Sequence, residues 1–341
     1  MLKEFILYIS SLSIRRLVNY TLCYLGFSIS RIFRFPFVLG LPFSISVEPT
    51  TRCNLACPDC VTGAGLLKRK KGDQSIENFK KIVDEVFPYT FSILTHFQGE
   101  PLLNRDVFTM IRYSTSKRMV TEMATNGTLI SNEVADEMVQ SGLKKVVITI
   151  DSPHETDFGF YRKGADYNEV VAGIKRITSA KKKFKSKYPL LVIELLLFKK
   201  NSDQIEKFAE FAKDLKADII RIKTAQILDL SNAETKIPES KRFSRYLKTA
   251  SGNFMLKGSS SKPCSAPWTK LSITHDGWIV PCCFDSSGYY IMGFSKFSTL
   301  PQMWFSRHYN LFRNRLLNNR SSMNICSTCP SGRMKLDFNI D

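Results

Sequence analysis

Three cysteines stand at a spacing that could do chemistry: Cys53, then Cys57 after three intervening residues, then Cys60 after two more, just downstream of the short run Ile45-Ser46-Val47. Three thiolates are one ligand short of closing a tetrahedral site, or of capping every iron of a cubane. Soft sulfur ligands select zinc or iron–sulfur clusters, and an open fourth position marks a reactive site rather than a structural one. A zinc knuckle with a distant fourth ligand is the bland alternative. A second set lies in the C-terminal quarter. Cys264 and Cys282 bracket a segment in which Asp276-Gly277, flanked by apolar residues, reads as a hairpin turn, and Cys326-Ser327-Thr328-Cys329 has a metal-type spacing. Taken alone, this set also suits a zinc ribbon. Cys283 adjoins Cys282, so a swap between the two stays open, while Cys23 stands alone and reads as a small buried hydrophobe.

The elements that must position these residues follow from composition and pattern. A chain of 341 residues that is 43% hydrophobic has ample material for a buried core and suggests one large domain plus a smaller one. Nine clustered Cys argue for metal ligation in a reducing cytosol rather than a disulfide framework. The formal charge of +18 favours acidic partners but does not choose among nucleic acid, anionic lipid and phosphorylated substrates. The start, Met1-Leu2-Lys3-Glu4-Phe5, reads as one without a cleavable signal. Residues 1–42 form a separate apolar and basic segment, expected to make helices over 2–22 and 24–34 and to end at Pro36 and Pro42. Its uncharged stretch from Leu17 to Ser30 is short of a bilayer span. Two readings are open: helices packed on the main domain, or an interfacial membrane segment with Arg15, Arg16, Arg31 and Arg34 facing headgroups.

From residue 43 strand-like runs at 43–48, 91–97, 119–124, 145–151, 190–198 and 218–224 alternate with helical patterns at 75–87, 104–117, 131–140, 167–184 and 202–215. Ser75 and Ser131 are the expected N-caps of two of these helices. Such alternation predicts parallel strands with right-handed crossovers, and the loop that carries Cys53 then lands at the C-terminal end of the first strand.

The cysteine spacing resembles the cluster motif of the radical S-adenosylmethionine (SAM) enzymes, in which three Cys hold a [4Fe–4S] cluster and leave one iron for SAM. Further motifs fall in the family's order. Gln98-Gly99-Glu100-Pro101 looks like the Gly-Gly-Glu motif for the SAM amino group, with Gln98 in place of the first glycine. Ala124-Thr125-Asn126-Gly127 resembles the ribose-contacting segment; alone it is also an ordinary Asn-Gly turn. Thr149-Ile150-Asp151-Ser152 and Tyr161-Arg162-Lys163-Gly164 resemble the elements whose hydroxyl and arginine hold the SAM carboxylate. The resemblance therefore assigns Gly99, Glu100, Asn126, Thr149 and Arg162 to SAM, and Cys53, Cys57 and Cys60 to its cluster. Asp59 departs from the family's pattern, where an aromatic that covers the adenine often precedes the last cluster Cys.

The C-terminal quarter resembles the shortened SPASM module called a twitch domain, which implies one auxiliary [4Fe–4S] cluster on Cys264, Cys282, Cys326 and Cys329. The implied architecture is α/β: an incomplete (β/α)6 barrel of TIM type over 43–245, an N-terminal helical extension over 1–42, and a small auxiliary-cluster domain of hairpin plus helix over 246–341.

Glu194 interrupts the apolar run Leu190 to Leu197 and should point into a polar lumen, toward Arg221 or Lys223 on the next strand. These three are the candidate substrate-side residues; a structural ion pair is the competing reading. Lys68-Arg69-Lys70-Lys71 follows the cluster loop and could greet an anionic substrate or an electron donor, or be a solvated loop. Lys181 to Lys187 falls at the opposite end of the barrel.

The resemblance implies reductive cleavage of SAM to a 5′-deoxyadenosyl radical that abstracts hydrogen from a substrate carbon. The expected reaction is a two-electron oxidation of a sugar, cyclitol or peptide side chain, with the auxiliary cluster as electron acceptor. A peptide or protein maturase is the alternative. A zinc-binding nucleic-acid module is a further one, and it lacks an aromatic–basic RNA signature. The implied partners are an electron donor such as flavodoxin or ferredoxin and a small-molecule or peptide substrate, with no nucleic acid. The expected location is cytoplasmic, with residues 1–40 able to place the chain at the inner face of the membrane.

Overall fold

The computed structural model describes residues 2–258, 264–327, 329–330 and 337–340. Six parallel strands form its centre: β1 (Ser44–Val47), β2 (Ser92–Leu94), β3 (Val120–Thr125), β4 (Lys145–Thr149), β5 (Leu190–Leu197) and β6 (Ile219–Thr224). Each pairs in parallel with the next. The connections carry helices Ile76–Val86, Val107–Ser116, Asn132–Gln140, Tyr167–Lys183 and Ile205–Asp214. The amphipathic period that predicts these helices also sets their packing. Phe79, Ile82, Val83 and Val86 of the first are fully buried. Ser75 and Ser131 cap as expected, accepting from the backbone N–H of Asn78 and Val134. The result is the incomplete (β/α)6 barrel, with apolar cores between strands and outer helices and polar side chains in the lumen.

The C-terminal quarter extends this sheet at both edges. It contributes a separate two-stranded hairpin, β7 (Tyr246–Lys248) with β8 (Phe254–Leu256), then β9 (Lys270–Ile273), β10 (Trp278–Val280), β11 (Gly293–Phe294) and β12 (Asp337–Ile340). The main sheet has the order β11-β10-β9-β1-β2-β3-β4-β5-β6-β12. Strand β9 pairs in parallel with β1, and β12 pairs antiparallel with β6. The expected hairpin is β9–β10, turning at Gly277 with φ +95°, a left-handed conformation that glycine adopts without a Cβ clash. The module is not an independent core. Trp268, Ile273, Trp304 and Tyr309 share one apolar cluster with Ile45, Phe79 and Ile93 of the barrel.

The N-terminal segment differs from the expected helices 2–22 and 24–34. The helices are Leu2–Ile9 and Ile14–Phe33, so the break falls at 10–13 and not near Cys23. Ser13 makes the break by accepting from Arg16 N–H as an N-cap. Arg16 does not face headgroups either. It is buried, and its guanidinium donates to the carbonyls of Ser11 (2.8 Å), Phe87 (2.7 Å), Lys117 (2.9 Å) and Arg118 (2.6 Å). Cys23 is buried as expected, its thiol against the Leu41 carbonyl at 3.0 Å. Both helices cover the end of the barrel where the strands begin. Leu7 packs on Val120, Leu190, Val192 and Ile219, plugging that mouth of the lumen.

Candidate active site

The cysteine loop leaves β1 at the opposite, C-terminal end of the strands. Its path is fixed by backbone bonds: Ala56 N–H to the Lys163 carbonyl (2.9 Å), Cys60 N–H to the Cys57 carbonyl (3.2 Å) and Glu100 N–H to the Arg52 carbonyl (2.7 Å). Gly63 lies so close that a Cβ there would meet the Cys57 backbone N at 2.6 Å. Burial pushes the Cys57 thiol up to about 11, opposed by the Arg162 guanidinium, and the neighbouring Cys60 and Cys53 thiols push the same way. The three thiols thus share one electrostatic neighbourhood. Among the described residues no three His, Cys, Asp or Glu side chains converge closely enough to grip a single metal ion.

Four of the five expected SAM residues surround this loop. Gly99 has φ +73°, and a Cβ there would strike the Thr50 carbonyl oxygen at 2.4 Å, so the turn after β2 needs glycine. Glu100 is buried; its carboxylate accepts from Thr125 Oγ1 (2.7 Å) and Asn126 N–H (2.7 Å), which locks the ends of β2 and β3 together. Burial raises its pKa, with those hydrogen bonds and Arg162 opposing. Asn126 donates through Nδ2 to Asn54 Oδ1 at 2.8 Å, joining β3 to the cysteine loop. Arg162 pairs through Nε with Asp151 Oδ2 at 3.0 Å, and both are buried. That pair is poorly aligned: neither Asp151 oxygen nor Arg162 Nε makes a hydrogen bond of good geometry. Buried polar atoms left in this state are what a bound zwitterion would satisfy. Thr149 stands apart from the group, its hydroxyl donating to Glu194 Oε1 at 3.4 Å.

The lumen holds the candidate substrate-side residues. The Glu194 side chain is 5% exposed and lies 3.4 Å from Lys223 Nζ and 3.8 Å from Arg221 Nη1. Arg221 has a closer partner, Glu4 of the first helix, at 2.9 Å, and Glu4 also reaches Lys145. Tyr8 donates to Glu122 at 2.8 Å in the same layer. Arg221 therefore belongs to the plug, whereas the Lys223 side chain remains 43% exposed toward the open end. His96 was not singled out by sequence, since a lone histidine carries no spacing signal. Burial first and Lys223 second depress it to about 4, so the imidazole is neutral.

The auxiliary cysteines also meet. Cys264, Cys282 and Cys326 belong to the same apolar cluster, and Cys282, pushed well above its ordinary value by burial, feels Cys283, Cys329 and Cys264. Cys326 and Cys329 close a turn through Cys329 N–H to the Cys326 carbonyl at 3.3 Å. Cys283 is exposed to solvent, whereas Cys282 packs against that apolar cluster. Cys282 is the better core-facing donor of the two.

Two charged groups expected to be solvated or doubtful are structural clips. Arg69, within the basic run, is buried: it forks onto Glu48 at 2.8 and 2.7 Å and donates through Nε to the Ser286 carbonyl at 2.6 Å. Glu48 also accepts from His275 N–H at 2.9 Å, so the barrel, the basic run and the hairpin are joined at one carboxylate. Asp59 pairs with Lys236 at 2.8 Å and accepts from Leu228 N–H at 3.0 Å, tying the cluster loop to the chain beyond β6.

Comparisons with known proteins agree with this geometry. The model of the radical SAM superfamily matches residues 47–212, and that of the SPASM iron–sulfur cluster-binding domain matches residues 264–330. Among curated proteins, an AdoMet-dependent heme synthase of Methanosarcina barkeri is 32% identical over 177 residues, 52% of this chain and 48% of that protein. The mycofactocin maturase MftC of Mycolicibacterium smegmatis is 26% identical over 174 residues, 51% of this chain and 42% of that protein. The chain thus matches about half the length of these relatives or less. Among solved structures, SuiB of Streptococcus suis bound to S-adenosylmethionine has a TM-score of 0.62 at 15% identity, covering 89% of this chain and 75% of that one. BtrN in complex with AdoMet and 2-DOIA has a TM-score of 0.55 at 17% identity, covering 86% and 94%. At such identities these two establish a common fold. A cysteine loop at the top of an incomplete barrel, a second cysteine set behind it and both family matches agree: the chain belongs to the radical SAM superfamily and carries a C-terminal SPASM iron–sulfur domain.

Proposed function

We propose that this chain is a radical SAM oxidoreductase that removes two electrons from a carbon of a polar substrate, a sugar, cyclitol or peptide side chain, with a single auxiliary [4Fe–4S] cluster as electron acceptor. Cys53, Cys57 and Cys60 would hold the first cluster, and Cys264, Cys282, Cys326 and Cys329 the second. When bound, the first cluster and SAM supply a 5′-deoxyadenosyl radical that abstracts hydrogen from an unactivated carbon. The protein binds, orients and excludes water. Glu100 and the Gly99 turn take the SAM ammonium, Arg162 takes its carboxylate with Asp151 fixing the guanidinium, and Asn126 borders the ribose. Thr149, tied to Glu194, serves the boundary between SAM and substrate.

One observation carries the oxidative reading. Cys264, Cys282 and Cys326 gather in one buried apolar cluster, the setting in which a cluster that exchanges electrons is kept from water. Lys223 and Glu194 offer a hydroxyl-bearing substrate both charges, and the Glu194 carboxylate can accept the proton that a hydroxyl loses on oxidation. A flavodoxin- or ferredoxin-type donor would reduce the first cluster.

A peptide substrate is the second reading. It is favoured by likeness to SuiB bound to precursor peptide SuiA (TM-score 0.61) and to anSMEcpe with AdoMet and the Cp18Cys peptide (TM-score 0.57). The test is the double variant Cys326→Ala/Cys329→Ala, screened against aminocyclitols, sugars and peptides and verified as folded by circular dichroism. It should cleave SAM without forming oxidised product. A folded variant that lacks the second cluster and still oxidises substrate at the parental rate would remove the electron-acceptor role.

A further inference from the structure

The helix Ile14–Phe33 is amphipathic the wrong way round for water. Toward the protein it buries Arg16, Asn19, Cys23, Gly26, Phe27 and Ser30. Asn19 is satisfied there, donating to the carbonyls of Leu41 (2.8 Å) and Tyr89 (3.1 Å) and accepting from Leu41 N–H (2.8 Å). Outward it presents Ile14 (85% exposed), Leu17 (55%), Val18 (51%), Leu25 (48%) and Ile32 (74%). Ile14, Val18, Leu25 and Ile32 fall on one face of the helix, with the small polar Thr21 and Ser28 between them. A helix that met only water would place its apolar stripe against the core. This one inverts the arrangement over five turns.

The stripe is part of a larger face. Phe5, Ile6 and Ile9 of the first helix are exposed beside it, as are Phe33, Phe35 and Phe37 beyond its end. An open groove of about 570 Å³ runs along its flank, lined in part by Ile14, Val18, Leu22, Leu39 and Phe305. Contiguous apolar surface of this extent marks an interaction site. Its charge is one-sided. Between Glu4 and Glu48 the sequence has no acidic residue, and the exposed charges of that stretch are Arg15, Arg31 and Arg34. No helix among the described residues is long and apolar enough to cross a membrane. The inverted helix lies along the surface, held to the loops before β2 and β3 by Arg16.

We propose that residues 5–39 form a monotopic docking face for an anionic lipid surface, with the helix Ile14–Phe33 lying in the interfacial plane and Arg15 and Arg31 among the headgroups. A second copy of the chain is the poorer occupant, because two surfaces of the same cationic sign in a +18 protein repel. The face covers the end of the barrel where the strands begin, opposite the cysteine loop. Docking would therefore hold the active-site mouth away from the bilayer, toward an aqueous substrate and electron donor.

The test is co-sedimentation of the full-length, cluster-loaded protein with vesicles of phosphatidylcholine alone or mixed with phosphatidylglycerol. The proposal expects binding to the mixed vesicles that weakens with salt. Ile14→Glu/Val18→Glu/Leu25→Glu should bind at least about tenfold more weakly, since each loses interfacial apolar area. Arg15→Gln/Arg31→Gln should lose about tenfold or more on mixed vesicles only. All five side chains are exposed, so circular dichroism and iron content should match the parent. The idea fails if the parent ignores both vesicle types, or if the triple Glu variant binds mixed vesicles as tightly as the parent. It also fails if the parent is a lipid-independent dimer that the triple substitution merely converts to monomer.

Discussion

Replacing Arg69 by Met should loosen the joint between the barrel and the SPASM module. Arg69 gives Glu48 two charge-assisted hydrogen bonds at 2.7 and 2.8 Å, and both side chains are nearly inaccessible, 8% and 0% exposed. The substitution keeps the aliphatic stem but leaves a buried carboxylate with only the His275 contacts. Removing one partner of a buried ion pair costs about 3–5 kcal/mol, because the remaining charge stays desolvated. For a chain of this size that is a drop in Tm of roughly 5–15 °C. The SPASM module also loses the bond from Arg69 Nε to the Ser286 carbonyl in the loop after β10, so it should loosen first. The assay is anaerobic thermal denaturation by circular dichroism, with iron and sulfide counted on each sample. The double variant Arg69→Met/Glu48→Gln should recover most of the loss, since a neutral amide still accepts from His275 N–H. A drop in stability below about 1 kcal/mol for Arg69→Met alone, the size of a solvated surface pair, would refute the reasoning. So would a double variant as unstable as the single.

Glu100→Gln and Arg162→Gln should weaken SAM binding roughly 10- to 150-fold each with full iron content, the size of a charge-assisted contact; unchanged affinity by equilibrium dialysis in both would discard those assignments. Lys223→Met should lower the yield of oxidised product while sparing SAM cleavage in the absence of substrate, and an equal loss of both would place Lys223 outside the substrate cavity. Ser13→Ala removes the cap at the N-terminal break and should destabilise the fold by about 1 kcal/mol in denaturant titration.

Much of the barrel is legible in the sequence because burial on both faces writes strands as apolar runs. Leu190 to Phe198 is the clearest, and the observed β5 ends one residue earlier. The cysteine sets and Glu100 stand out in the sequence because the metal and zwitterion chemistry proposed for them demands fixed residue types at fixed spacings. Four features are not legible. The break at Ser13 is hidden because an inverted helix carries apolar residues where a boundary needs contrast. The pairing of β9 with β1 and β12 with β6 is a long-range choice that no local pattern encodes. Arg69 looks like its neighbours in Lys68-Arg69-Lys70-Lys71, and only the carboxylate brought near by folding separates it from them. Thr149 reads as a SAM ligand from its place in a motif, yet its hydroxyl meets Glu194, a neighbour set by strand register.

The most direct measurement of the central claim is 5′-deoxyadenosine released from SAM by the anaerobically reconstituted, dithionite-reduced protein carrying about eight iron per chain. The account predicts its formation by the parent and its loss in Cys53→Ala/Cys57→Ala/Cys60→Ala, which should retain about four iron in the auxiliary site. A fully loaded parent that releases no 5′-deoxyadenosine, or a triple variant that still releases it, would contradict the assignment of that cysteine loop to the chemistry.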